Sequence, residues 1–127
     1  MLDLFSRIIS DEENITLSNP PAEKEFFEAL SSLGSTKAPG PDGFTALFYM
    51  KYWNLVKKDV LIYIKHYFLQ NRLHDGHNHS FIALVHKLSG SHTEFQPISL
   101  CNIAYKIISK ILANRLKILI PKIISPL

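Results

Sequence analysis

Cysteine is nearly absent from this sequence of 127 residues, in which Cys101 is the single example. One cysteine cannot form an internal disulfide, and it excludes any zinc site built from four cysteines. A chain of this length still buries roughly two-thirds of the surface that its unfolded form exposes, which provides a core without crosslinks. The scarcity of cysteine is typical of a reducing compartment, so we expect an intracellular protein that folds by packing alone.

Long apolar runs are also missing. The densest, residues 60–69, is interrupted by Lys65 and His66, and it is far shorter than the ~20 residues that cross a bilayer. The first ten residues include Asp3 and Arg7 and lead into three acidic residues, which is unlike a secretory signal. The sequence therefore predicts neither a membrane span nor an export signal.

Acidic residues are missing from the C-terminal part, because none follows Glu94. Five basic residues lie after it: Lys106, Lys110, Arg115, Lys117 and Lys122. Residues 1–30 hold seven acids and two bases, whereas the rest of the chain holds four acids and twelve bases. This asymmetry predicts a C-terminal surface that attracts phosphates, although a solvated basic helix face would give the same composition.

Turn-forming residues divide the chain. The segment 18–21, Ser-Asn-Pro-Pro, predicts a helix that has a polar cap and an initiating proline and that ends at Gly34. Two prolines and two glycines in residues 37–43 predict a stiff, sharply turned loop. The dense apolar and aromatic residues of 45–73 predict one or two mostly buried helices, with a break near 56–59.

A hairpin is predicted next. Residues 81–85 and 95–100 are apolar runs of strand length, and turn-forming residues lie between them. Pro97 restricts its strand to a sheet edge or a bulge. We expect this antiparallel hairpin to be the only sheet, so the predicted fold class is α+β, mostly helical with one small antiparallel β-hairpin.

The last predicted helix begins at Asn102, a potential cap, runs to Leu119 and is ended by Pro121. At ~100° per residue it has one broad apolar face. That face consists of Ile103, Ala104, Ile107, Ile108, Ile111 and Leu112. Three lysines fall within about 40° of one another on a different side of the helix. This basic stripe consists of Lys106, Lys110 and Lys117.

Residues that could carry chemistry are few. His74, His77 and His79 raise the hypothesis of a histidine-dependent metalloenzyme, but they lack the helical spacing or cysteine partner that fixes a coordination geometry, and solvated loop histidines explain them as well. No neighbouring base activates Cys101 as a nucleophile. Neither a phosphate-binding P-loop nor a Gly-x-Ser-x-Gly motif is present.

Four blocks of sequence occur in an order that is informative about the family. They are Gly-Ser-Thr-Lys-Ala-Pro-Gly-Pro-Asp-Gly-Phe (34–44), Phe-Tyr-Met-Lys-Tyr-Trp (48–53), Ile-Ala-Leu-Val-His-Lys (82–87), and the run from Phe95-Gln-Pro-Ile-Ser-Leu-Cys-Asn to Leu-Ala-Asn-Arg-Leu-Lys117. In this order they strongly resemble the N-terminal part of the reverse transcriptases of LINE-type non-LTR retrotransposons, particularly those abundant in plant genomes. The resemblance extends from about Ile15 to the last residue.

The resemblance implies a fingers region, with residues 1–36 as a helical lead and 37–127 as a partial fingers domain without its palm. It implies that Lys87 holds the triphosphate of an incoming nucleotide beside Gln96. The family usually has arginine where this chain has Gln96, and Ile-Pro-Lys where it has Val85-His86-Lys87. A neutral amide lacks the charged fork of arginine, so we expect a phosphate grip weakened by about 1.5–3 kcal/mol.

The same resemblance places Lys37 and the basic stripe toward an RNA template or DNA primer. The family's catalytic carboxylates bind two Mg²⁺ ions in the palm, and no counterpart occurs among Asp42, Asp59, Asp75 and Glu94, which lie on separate segments. We therefore expect an inactive fragment without a cofactor of its own, whose partners are nucleic acid and the missing palm. The alternative is a stand-alone, non-catalytic nucleic-acid-binding helical module.

Overall fold

The computed structural model describes residues 8–73, 75, 78–87 and 95–124. In this part of the chain, the elements are α1 (Asp11–Ser18), α2 (Glu23–Ser32), α3 (Ala46–Lys51), α4 (Trp53–Gln70), β1 (Ser80–His86), β2 (Phe95–Cys101) and α5 (Ile103–Ile123). Helices dominate and the two strands form one antiparallel sheet. The predicted α+β fold class is confirmed.

Helix α1 lies within the helical lead that the resemblance implies for residues 1–36, but its bounds were not predicted, although their signal is in the sequence. Ser10 and Glu13 form a capping box, in which the Glu13 amide donates to Ser10 Oγ at 3.2 Å and the Ser10 amide donates to Glu13 Oε2 at 3.0 Å. Three acids in the first turn also stabilise the helix, because their negative charges lie at the positive end of the helix dipole. The spacing Ser-x-x-Glu would have located this helix without a structure.

Helix α2 starts later than predicted. Its N-cap is Ala22, which has extended backbone angles and no side-chain cap hydrogen bond, while Pro21 lies before the cap and is fully buried. The predicted polar cap and initiating proline are therefore wrong, because α2 begins at Glu23 and both prolines lie before its N-cap. The predicted end is confirmed: α2 stops at Ser32, and Gly34 adopts a positive φ of 82°.

Helices α3 and α4 meet at Tyr52, so the predicted break near residues 56–59 is wrong. Tyr52 leaves the helical region with φ −104° and ψ 20°, yet its carbonyl accepts from the amides of Leu55 and Val56. The chain therefore bends there without losing its hydrogen bonds. The expectation of mostly buried helices is also wrong for α4, in which Ile64 and Phe68 are buried and Leu55 is 79% exposed.

The core lies between α2 and α5, and α3 and α4 close it. From α2 it takes Phe26, Ala29 and Leu30, all fully buried. Phe26 also stacks on Trp53 at the start of α4, with the ring centroids 4.9 Å apart. The predicted apolar face of α5 is confirmed, with four isoleucines buried: Ile103, Ile107, Ile108 and Ile111. Each such side chain contributes about 1.5–3 kcal/mol through burial.

Helix α5 passes through Pro121 and ends at Ile123, so the prediction that Pro121 ends it is wrong. Proline there removes one hydrogen bond only, in the last turn, where few bonds remain to be broken. The Ile124 amide still donates to the Ile120 carbonyl at 2.9 Å, and Leu119 is buried just before the proline. Tertiary contacts therefore hold the last turn in helical form.

The hairpin is confirmed, in a register that pairs Ser80 with Cys101 and His86 with Phe95. Its predicted turn falls outside the described residues. Pro97 pairs with Leu84 in a sheet of two strands, where each strand has a free edge that tolerates proline. Among the described residues, none of the helices combines the length and apolar character needed to cross a bilayer.

Candidate nucleotide and nucleic-acid surface

The predicted stiff loop is fastened to the junction between β2 and α5. The Gly43 amide donates to the Gly40 carbonyl at 3.0 Å, and Gly43 has a positive φ of 76°. Gly40 has a different role: a Cβ there would lie 2.4 Å from the Cys101 carbonyl carbon and the Asn102 amide nitrogen. The missing side chain allows two backbones to touch, which fixes the loop in place.

Asn102 completes this junction. It is the N-cap residue of α5, as predicted, but its side chain makes no cap hydrogen bond. Its Oδ1 accepts instead from the Asp42 amide at 3.0 Å. Lys106 adds a second link, because its Nζ donates to the Ala38 carbonyl at 3.3 Å. The N-cap and first turn of α5 therefore bind the loop through hydrogen bonds. The sequence of either segment alone does not predict this contact.

Lys37 and Lys106 both lie at this loop. Lys37 is exposed, and its side chain runs past Gly34, since a Cβ built there would be 3.7 Å from Lys37 Cε. Lys106 uses one of its three donors on Ala38, which leaves two for another acceptor. The structure thus brings together two of the four lysines predicted to contact nucleic acid.

The other two, Lys110 and Lys117, lie further along α5. Lys110 is half-buried and Lys117 is exposed, and neither makes a hydrogen bond or ion pair within the described residues. The remaining cations of α5 differ, because Arg115 pairs with Glu25 and Lys122 contacts Glu13. Acids of the N-terminal part thus neutralise bases of the C-terminal part, and the charge asymmetry of the sequence is partly cancelled in space.

Arg115 is a structural residue that sequence reasoning grouped with the phosphate-attracting bases. Its Nε and Nη2 donate to the two carboxylate oxygens of Glu25 at 2.7 and 2.8 Å. Its Nη1 donates to the carbonyls of Leu17 and Asn19 at 2.9 and 2.6 Å, and its guanidinium lies 5.2 Å from the ring centre of Phe68. With a side chain only 11% exposed, Arg115 joins α5 to α1, α2 and α4.

The predicted nucleotide-binding pair occupies the turn end of the hairpin. Gln96 is exposed and pairs with Val85, so the two side chains share one face of the sheet. Lys87 is the first residue after β1, is exposed, and makes no contact with an acid within the described residues. The two residues therefore lie at one end of the hairpin, where a triphosphate could approach both.

These two groups of candidates do not converge. Gln96 is five residues before Cys101, at which β2 reaches the junction with the loop. At ~3.4 Å per residue, the strand separates the lysines of the loop from the turn end by about 17 Å. The candidate residues therefore lie in two separate regions of the fold rather than at one place.

Two carboxylates share a cavity that the sequence did not indicate. Asp42 and Asp59 line a space of about 230 Å³ together with Tyr49, Tyr63 and Asn102. Burial, with a smaller contribution from Asp42, raises the pKa of Tyr49 to about 12, and burial also raises the pKa of Tyr63. Both phenols are protonated at neutral pH, as phenols ordinarily are, and can donate hydrogen bonds.

The donors present do not fit a polymerase metal centre. Within the described part of the chain, no three His, Cys, Asp or Glu side chains come together as a metal site would require. Asp42 and Asp59 alone are too few to hold two divalent ions around a reacting phosphate. Of the loop histidines, His74 and His77 lie outside the described residues and His79 is exposed; Cys101 is half-buried and reduced.

Comparison with known proteins gives one informative similarity. No protein-family model matches the chain. The chain is similar to the Transposon TX1 uncharacterized 149 kDa protein of Xenopus laevis, with 26% identity over 121 residues. The aligned segment covers 94% of this chain and 9% of that protein, so the chain spans a small part of the relative's length. The similarity supports a transposon-related origin for this sequence.

Proposed function

We propose that this chain is part of the fingers region of a LINE-type reverse transcriptase and carries a surface for nucleotide and nucleic acid. The similarity to a transposon protein along nearly the whole chain supports the origin. The observation that carries the function is the turn end of the hairpin, where exposed Lys87 stands near Gln96 with no acid to neutralise it among the described residues. A lysine placed in this way is a receptor for a triphosphate.

The nucleic-acid part of the proposal rests on the lysines that the fold leaves available. Lys37, Lys110 and Lys117 make no ion pair in the described residues, whereas Arg115 and Lys122 are held by acids. Free cations release counterions from a phosphate backbone, which gives a salt-dependent affinity. RNA template or DNA primer strands are the partners that fit, and a palm domain would complete the enzyme.

We further propose that the chain does not polymerise alone, because its acids do not assemble, within the described residues, the carboxylate set that two-metal nucleotidyl transfer requires. Mg²⁺ would belong to the complete enzyme and would be held outside this segment. Primer extension with the purified chain in Mg²⁺ or Mn²⁺ tests this. No incorporation is expected, and sustained incorporation would overturn this part of the proposal.

Introducing an arginine at position 96 is the sharpest test of the nucleotide site. Gln96→Arg should tighten the binding of a fluorescent deoxynucleoside triphosphate by about 1.5–3 kcal/mol, because a guanidinium donates two charged hydrogen bonds to phosphate. Leu84→Arg is the matched control, since Leu84 is 64% exposed in the same hairpin and its side chain lies on the opposite face. Lys87→Gln should abolish the gain.

Equal tightening by Gln96→Arg and Leu84→Arg would show a general charge effect and would contradict a triphosphate site at Lys87. The stand-alone binding module is then favoured, because the free lysines of α5 do not depend on the hairpin. That module predicts RNA binding whose salt dependence falls when Lys110 and Lys117 are replaced by glutamine. The slope should fall by about 0.7 for each phosphate of the single strand that a lysine no longer neutralises. The module also predicts that the two hairpin variants change binding equally.

A further inference from the structure

A row of aromatic rings lies on the outside of the fold at α3. Phe44, Phe48 and Tyr52 are spaced four residues apart, with ring centroids 4.7 Å apart for the first pair and 5.1 Å for the second. Phe44 is 44% exposed and Tyr52 is 45% exposed. We call these three residues the aromatic row.

The aromatic row is not part of the core. The partly buried residues that pack against the core include Tyr49 and Trp53 but none of the three. Tyr49 makes edge-on ring contacts with two members of the row. Its ring centroid lies 6.2 Å from that of Phe44 and 5.7 Å from that of Phe48. The three rings therefore rest on a side chain anchored in the core while they keep surface open to solvent.

The backbone before the row is fixed. The Phe44 amide donates to Asp42 Oδ1 at 3.1 Å, and the Asp42 amide donates to Asn102 Oδ1 at 3.0 Å. Thr45 Oγ1 accepts from the Phe48 amide at 3.2 Å and caps α3. These hydrogen bonds fix the backbone of the two residues that carry the first two rings, so little backbone order remains to be gained on binding.

The charge beside the row identifies its partner. Lys51 is exposed, makes no ion pair or hydrogen bond within the described residues, and lies one helical turn after Phe48. Asp42, the nearest acid in sequence at the other end, is already bound to the Phe44 amide. An anion is therefore favoured at the Lys51 end. Exposed rings beside a free cation match nucleobases joined to phosphates, whereas a purely apolar partner would leave Lys51 without a role.

We propose that the aromatic row, Phe44, Phe48 and Tyr52, is a stacking platform for the bases of single-stranded nucleic acid and that Lys51 contacts the adjoining phosphate. This inference rests on the proposed nucleic-acid-binding function and names the residues that receive the bases. Stacking needs only a π face, so the platform accepts any base sequence. Its Phe44 end follows Asp42, which is bound at the junction of β2 and α5, whereas Gln96 lies at the other end of β2, so we assign the platform to the strand rather than to the incoming nucleotide.

The test compares two labelled probes that carry the same phosphates: an oligonucleotide of about 12 nucleotides and its abasic counterpart. The complete chain should bind the base-containing strand about fivefold to a hundredfold more tightly than the abasic strand. Phe44→Leu/Phe48→Leu keeps apolar volume but removes two of the three π faces, so it should reduce that preference severalfold. Lys51→Gln should weaken both probes equally.

Leu47→Ala is the matched control, because Leu47 is 53% exposed on the same helix but has no ring. It should retain the preference for bases. Circular dichroism checks folding, and if the double variant unfolds, Phe44→Leu replaces it, since Phe44 precedes α3. Phe44→Trp should preserve the preference or increase it.

The outcomes separate this inference from the proposed function. A wild-type chain that binds neither probe contradicts the nucleic-acid function itself. A chain that binds both probes equally keeps that function and overturns the platform. Unchanged preference for bases in Phe44→Leu/Phe48→Leu also overturns the platform and would make the row a protein-docking face.

Discussion

The helical body (α1–α5) and the hairpin (β1 and β2) differ in how they use apolar residues. Every buried apolar side chain of the core belongs to a helix, whereas none of the described hairpin residues is buried. In the hairpin Phe81 is 59% exposed, Ile82 71% and Leu84 64%. Both regions are rich in apolar residues, so composition does not explain the difference.

The difference lies in geometry. A helix can bury its apolar residues if they form one stripe along its surface, and the apolar stripes of α2 and α5 pack against each other. The hairpin has apolar residues on both faces, because Phe81 and Val85 lie on one and Ile82 and Leu84 on the other. Two strands alone are only marginally stable in water. The helical body can thus sustain itself, while the hairpin depends on its attachment to α5 and, in the proposed enzyme, on a palm.

Truncating isoleucine in each region should give the largest contrast. Ile107→Ala should lower the free energy of unfolding by about 2–5 kcal/mol, because Ile107 is fully buried and its loss leaves a cavity. Ile82→Ala, at a side chain 71% exposed, should change it by less than about 0.5 kcal/mol. Urea denaturation followed by far-ultraviolet circular dichroism measures both.

Comparable destabilisation by the two substitutions would mean either that the hairpin packs against a second copy of the chain or that it belongs to the core. Repeating the Ile82→Ala measurement over a range of protein concentrations distinguishes these cases. A destabilisation that grows with concentration indicates an intermolecular interface. A destabilisation independent of concentration would contradict the division into two regions.

Arg115 should produce a smaller effect that extends through the helical body. Arg115→Lys keeps the charge but removes the fork on Glu25 and the bonds to Leu17 and Asn19. We expect unfolding to become easier by about 1–3 kcal/mol, since Glu25 is partly exposed and water offsets some of the change. Thermal unfolding of this variant measures the effect.

Lys117→Gln is the control for Arg115→Lys, because Lys117 is two residues away, exposed and unpaired in the described residues. It should leave stability unchanged and weaken RNA binding, whereas Arg115→Lys should do the reverse. If Arg115→Lys weakened RNA binding at unchanged stability, Arg115 would be a phosphate contact, and its assignment as a structural residue would be wrong.

Local patterns in the sequence predicted correctly those features that depend on neighbouring residues alone. The apolar face of α5, the glycine after α2 and the hairpin follow from periodicity and turn chemistry, and all were confirmed. Errors arose where tertiary contacts overrule a local signal or where no local signal marks the change. Pro121 is a helix breaker that tertiary contacts overrule, and Tyr52 bends the chain without a glycine or proline to mark it.

The candidate site was harder to predict from the sequence, because its contacts join residues that are distant in the chain. Nothing near Arg115 in sequence reveals Glu25, and nothing near Asp42 reveals Asn102 or the cavity shared with Asp59. The positions of Lys87 and Gln96 at one hairpin end were implied by the predicted pairing of their strands. Their nucleotide-binding role stays a prediction.

Helix α1 is the least anchored part of the helical body, and its attachment should depend on pH. It has no buried residue, and Glu13 contacts Lys122 of α5. The hydrogen bond to Lys122, followed by that from the Ser10 amide, lowers the pKa of Glu13 below its ordinary value of 4.5. A lowered folded-state pKa means that this contribution to stability is fully present above pH 4.5 and is lost as the pH falls through the folded-state value.

Acidification from about pH 6 to about pH 3 should therefore release α1 before the core unfolds. Amide hydrogen exchange should show rising exchange in α1 at a pH where α2 and the first turns of α5 stay protected. Glu13→Gln removes the titrating group, so its α1 should exchange quickly already at pH 6, with little further change on acidification. If α1 and α2 became unprotected together at every pH, α1 would belong to the same cooperative unit as the core. Its two polar links, through Glu13 and through the Leu17 carbonyl, would then be stronger than their exposure suggests.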